Sequence, residues 1–153
     1  MKKEKIEFEV AAIYYLANEV LAVQPYFDVV PEGMIVPSIF YPTPEMETDS
    51  FSTGAYQTDF TLFVKLFART TTEAACMASE LLRAVAGNRN KVELVDEEGK
   101  KTGKNFKIDK MHAEKIDEGV YQLSITWKRY TAFDEKASTL AKEFFMNGTP
   151  MEN

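Results

Sequence analysis

From Gln57 to Arg69 the chain alternates without interruption: Thr58, Phe60, Leu62, Val64, Leu66 and Ala68 fall on one side, and Asp59, Thr61, Phe63, Lys65 and Phe67 on the other. A period of two over this length predicts a strand with one buried face. Directly behind it stands Thr70-Thr71-Thr72-Glu73, a capping box in which the Thr70 hydroxyl accepts from a free backbone N–H and Glu73 reaches back. A helix therefore starts there, with Ala74, Ala78, Leu81, Leu82 and Val85 as its core stripe and Gly87-Asn88 as its expected left-handed stop. Phe63 and Phe67 sit among polar residues, with Lys65 between them. They predict a second face partly covered by another element of the chain or by a second chain.

The flanking segments complete the pattern. Ile6, Val10, Ile13, Tyr14, Ala17, Val20 and Leu21 recur at helical spacing, so Glu4 to Val23 reads as an amphipathic helix closed by Pro25. Its outer face carries Phe8, Ala11, Ala12, Tyr15 and Ala22, less charge than a freely solvated helix shows, which suits either a neighbouring subunit or singly exposed apolar residues. A short strand is expected around Phe27 to Val30, then a turn at Pro31-Glu32-Gly33 and an apolar run from Met34 to Tyr41. Pro37 and Pro42 interrupt that run, and proline cannot donate to a ladder. This strand is expected at an edge, irregular, or ended by Pro42. Lys91 to Val95 and Asn105 to Met111 read as strands joined through Asp96 to Gly103. Gly119 to Tyr130 sorts into Tyr121, Leu123, Ile125 and Trp127 on a core face and Gln122, Ser124, Thr126 and Lys128 on a wet one. From Phe133 the spacing of Ala137, Leu140, Ala141 and Phe144 is helical, and Gly148 marks a stop before a frayed end. The expected organisation is one α+β domain over 1–133 and a C-terminal helical extension over 134–153. Two helices of this length cannot bury their stripes on each other alone. They are expected to cover one face of a mainly antiparallel sheet, a two-layer α+β sandwich.

Between Tyr41 and Tyr56 lies a stretch far longer than a strand pair needs, polar, acidic and begun by prolines: Pro44, Glu45, Glu47, Asp49 and Phe51 are its notable residues. It reads as a long hairpin loop without structure of its own, and connections of that length are usually functional or mobile.

Composition removes several classes of function. The net charge of −6 disfavours binding to phosphate backbones. A single cysteine, Cys76, cannot form an internal disulfide, which favours a reducing compartment. Glu4, Glu7 and Glu9 break any signal-peptide core, and no apolar run is long enough to span a bilayer, so a soluble protein is expected, without membrane association. His112, the sole histidine, has no nucleophile motif beside it, and Cys76 has no CxxC partner. Asp96, Glu97 and Glu98 lack the alternating oxygen ligands of a calcium loop and read as a solvated turn. Glu45 and Glu47 lie in a segment that offers no fixed, desolvated setting for acid–base work. No glycine pattern cradles a phosphate. No catalytic residue, cofactor or metal is expected.

The run Val36 to Pro42, the loop through Ser50-Phe51-Ser52-Thr53-Gly54, the strand Tyr56 to Ala68, the helix opening Thr70 to Ala74, and the late strand Leu123 to Trp127 together resemble the tail terminator (tail completion) proteins of long-tailed bacteriophages and prophages. That resemblance implies a small α+β fold and a ring, usually a hexamer, on the head-proximal end of the tail tube. The ring stops tube growth and offers a surface to the head connector or a head-completion protein, while DNA passes through it without specific binding. It also implies residence in the virion tail after assembly in the host bacterial cytoplasm. On this reading the assembly contacts fall to Phe8, Tyr15, Pro44, Glu45, Glu47, Asp49, Phe51, Tyr56, Phe63, Lys65 and Phe67. The alternatives are another neck or head–tail joining protein, or, in a different class, a small-ligand-binding α+β domain.

Overall fold

A computed structural model describes residues 7–133. The start of the first helix before Glu7 and the expected helical extension over 134–153 lie outside the described residues. In chain order the elements are α1 (Glu7–Val20), β1 (Gln24–Phe27), β2 (Ser38–Tyr41), β3 (Glu45–Ser52), β4 (Ala55–Phe67), α2 (Thr71–Gly87), β5 (Lys91–Val95), β6 (Lys101–Asp117) and β7 (Val120–Ala132). The strands pair in the order β1-β2-β4-β7-β6-β5, and β3 pairs with β4. The β1–β2 pair is parallel, Tyr26 beside Phe40, whereas β2–β4, β5–β6 and β6–β7 are antiparallel. The sheet is therefore mixed but mainly antiparallel.

The chain divides into two compact units, residues 1–45 with 60–127 and residues 46–59 with 128–153. In the first unit both helices join one apolar cluster with the strands. Ala12, Ile13 and Ala17 of α1 and Ala74, Met77, Ala78, Leu81 and Val85 of α2 are buried in it, along with Phe60, Leu62, Val64, Leu66, Leu123, Ile125 and Trp127. The alternation of β4 and of β7 thus points at the helices as the sequence requires, and two helices cover one face. Trp127 is the largest fully buried side chain; it stacks on Phe60 at 5.3 Å and meets Phe106 at 5.8 Å. Ala12, expected on the outer face of α1, is only 1% exposed. The helix leans on both β5 and α2, so it buries a wider stripe than one sheet contact needs.

Local chemistry sets the element ends. Thr70 is the N-cap of α2, its hydroxyl accepting the Glu73 N–H at 3.1 Å. At the other end the left-handed residues are Arg89 (φ 58°) and Asn90 (φ 61°), not Gly87 or Asn88 as expected. Helical bonding persists to Asn88, whose N–H reaches Val85, and the reversal happens just beyond it. The first strand begins at Gln24, earlier than expected, and its proline lies within it on a sheet edge, where a missing donor costs little. The second strand spans only Ser38–Tyr41, ends before Pro42 as expected, and is not an edge, because β1 and β4 flank it. The register shifts between Ile108 and Lys110, so that Asp109 is an extra residue in β6. This bulge turns Met111 and Ala113 toward the core, opposite Ile125 and Leu123, and leaves Lys110, His112 and Glu114 on the other face.

Candidate functional site

The second unit contains the segment read from sequence as an unstructured loop, and it is not one. Residues Glu45–Ser52 form β3, which hairpins into β4 through Thr53-Gly54. The Gly54 N–H donates to Ser52 Oγ at 3.2 Å, and the Phe133 N–H donates to the Gly54 carbonyl at 3.0 Å. Aromatic pairs hold the tip, Phe51 with Tyr130 at 4.6 Å and Tyr56 with Phe133 at 5.8 Å. Sequence periodicity missed the strand for a physical reason. All eight residues of β3 are exposed, so neither face needed apolar residues and no alternation was written into it.

Strand alternation puts Glu45, Glu47, Asp49 and Phe51 on one face of β3. Neither Glu45 nor Glu47 makes an ion pair or hydrogen bond among the described residues, and Asp49 accepts only the N–H of its neighbour Ser50, at 2.9 Å. Phe51 and Tyr130 remain 58% and 54% exposed although they touch. Pro44 differs from the rest of the stretch: it is buried.

In the first unit, α1 and the ends of β1 and β2 enclose an aromatic groove of about 460 Å³, walled by Tyr14, Tyr15, Phe27, Tyr41 and Pro42. Phe27 stacks on Tyr41 at 5.3 Å, and Tyr14 meets both edge-on, at 5.3 and 5.7 Å. Burial, helped by the adjacent Tyr14, pushes the Tyr41 phenol well above its ordinary pKa. Tyr15 also leans over the β5–β6 turn so closely that a Cβ on Gly99 would meet its hydroxyl at 2.5 Å. Phe8 borders a second hollow with Leu94 and Val95. The outer face of α1 is thus partly occupied by this chain's own turn.

Phe63, Lys65 and Phe67 stand half-buried on the sheet face opposite the helices. Phe40 lies across from Lys65 and Ser38 across from Phe67.

The sequence is 29% identical over 119 residues to the phage-like element PBSX protein XkdJ of Bacillus subtilis (strain 168), covering 76% of this chain and 80% of that one. The chain is similar to a protein of a phage-like element. No protein-family model matches the sequence. Among solved structures, a chain from the virion of a native gene transfer agent particle superposes loosely, with a TM-score of 0.46 at 14% identity, over 84% of this chain and all of that one.

The remaining reactive side chains are scattered. His112 is exposed, with Glu114 Oε1 3.9 Å from its Nε2, and Cys76 is exposed on α2. Asp96 organises its own turn, one carboxylate oxygen accepting the N–H groups of Glu98 and Lys100 at 2.9 and 2.8 Å. Among the described residues no three His, Cys, Asp or Glu side chains are grouped to hold a metal, and no helix is long and apolar enough to cross a membrane. One feature escaped sequence reading altogether: Lys91 and Lys107 face each other directly across β5 and β6, both exposed and neither in an ion pair among the described residues. The β5–β6 register was the missing signal, because 15 intervening residues hide the pairing.

Proposed function

We propose that this chain is a structural virion-assembly protein. It forms a ring on the head-proximal end of a phage tail tube, stops tube polymerisation and presents a surface for head joining. The observation that carries the reading is the likeness to a phage-like element protein over three quarters of the chain. The second unit supports it: its described residues include none that are buried, yet four large apolar side chains, Met46, Phe51, Tyr130 and Phe133, stand exposed there. A ribbon with no core among its described residues fits a protein that completes itself against other subunits. In this reading the chain works by docking and not by catalysis. Its partners are copies of itself, the tube protein and the head connector or head-completion protein, in the virion tail and, before that, in the host cytoplasm.

The test is electron microscopy of tube protein polymerised with and without the purified chain. Shortened tubes bearing a terminal ring are expected. Monomers alone, at high concentration and with tube protein present, would overturn the reading. If the protein instead binds only the head connector, it is a neck protein of another kind. The aromatic groove favours one reading from a different class, a small-ligand site, which predicts a monomer or dimer whose tyrosine fluorescence responds to small aromatic ligands.

A further inference from the structure

We infer that neighbouring copies of this chain dock by charge, the acidic face of β3 on one copy meeting the lysine pair Lys91–Lys107 on the next. The inference rests on the ring reading above and names the two surfaces that meet in it.

Three observations converge. The first is the carboxylate row Glu45, Glu47 and Asp49, on one exposed strand face with no basic residue in the strand. The deficit is wider than the strand: from residue 6 to residue 64 the chain has nine acidic residues and no lysine or arginine. Within that stretch no cation accompanies the row, and the basic residues among the described part of its own unit, Lys128 and Arg129, have interactions of their own. The second is the Lys91–Lys107 pair, in which like charges sit directly opposite across two strands, an arrangement that weakens a sheet unless something anionic relieves it. From Lys100 to Lys110 the sequence has five lysines against one acid, Asp109; Glu93, on the face of Lys91 in the partner strand, already accepts the Gly103 N–H at 2.8 Å. The third is geometric logic. Two β3 faces brought together would repel, which excludes a symmetric contact through this strand. A closed ring needs two different, complementary patches on each subunit, and an acidic row with a basic pair supplies them.

Exposed charges on both sides make the contact steer encounter and fix register, and salt should weaken it. Glu45→Lys/Glu47→Lys gives a subunit with two basic patches, and Lys91→Glu/Lys107→Glu one with two acidic patches. All four positions are exposed, so both variants are expected to fold; thermal melting of each checks this. Native mass spectrometry of wild type, each variant, and their equimolar mixture reads the outcome. Wild type is expected as a ring, each variant alone as monomer, and the mixture as an alternating ring containing equal numbers of the two. An even-membered ring alone can close this way. Wild-type rings together with variants that still form rings, or variants whose mixture stays monomeric, overturn the docking surfaces and leave the ring standing. A wild type that is monomeric under all conditions overturns both.

Discussion

The Gly119 carbonyl accepts the Ala68 N–H at 2.9 Å, and the Gly119 N–H donates to Thr71 Oγ1 at the same distance. The two-residue turn between β6 and β7 is thereby fastened to the point where β4 passes into α2. With φ at +73° and Ala68 O only 2.7 Å from where a Cβ would stand, Gly119 has no room for a side chain. Gly103 has a similar φ of +81° but open space around it. Gly119→Ala should therefore cost more than Gly103→Ala, about 3 kcal/mol against about 1. Urea unfolding of the two variants checks the difference, and equal losses would show that the turn yields freely.

Thr70→Ala removes the acceptor for the Glu73 N–H at the first turn of α2. About 1 kcal/mol of stability should be lost, and Thr70→Asp should retain most of it. A null result in the same denaturation assay would mean that water caps the helix equally well.

Tyr41 sets an alkaline limit. Its folded-state pKa is raised by burial and by Tyr14, so the neutral phenol is favoured in the folded chain. The sign follows: this contribution is complete below the unfolded value of about 10 and drains away as pH climbs from there toward the folded value. Stability should fall above about pH 10, and Tyr41→Phe should flatten that decline. Tyrosinate absorbance of the native protein should show one phenol that fails to titrate with the rest.

Trp127→Ala and Phe51→Ala separate core from surface. Trp127 is enclosed and stacked on Phe60, so its truncation should cost about 3–5 kcal/mol. Phe51 is mostly exposed and loses only its contact with Tyr130, about 1 kcal/mol, so its truncation should lower the melting temperature by only a few degrees while weakening assembly. Thermal melts read the first effect and native mass spectrometry the second.

Deleting residues 46–53 removes a strand with no buried residue. The first unit should keep its circular dichroism and cooperative melt, and tube capping should be lost. Undiminished capping would show that β3 takes no part in assembly.

What could be foreseen tracks burial. β4, α2 and β7 were legible because one face of each meets the core, so periodicity recorded the fold. Nothing of that kind marks β3, where both faces meet water. β6 was legible only around Asn105 to Met111; the following His112 to Asp117 is strand because β7 pairs with it, not because of its own residues. The end of α2 was misplaced because glycine is the usual left-handed residue, whereas here Arg89 and Asn90 take that geometry. Of the residues proposed for assembly, Glu45, Glu47, Asp49 and Phe51 were named from a stretch read as a loop and stand exposed on β3, whereas Pro44, named with them, is buried. The lysine pair became visible only with the register.

Among the described residues β3 pairs with β4 alone, so its outer edge offers unpaired amides and carbonyls to any extended chain that passes. Such edges seed indiscriminate stacking unless something spoils the match. Each like strand added here would bring three more carboxylates against those already present, and fibres of this segment are correspondingly disfavoured. Neutralising Glu45, Glu47 and Asp49 together should therefore cost the protein its solubility before it costs any measurable stability of the fold.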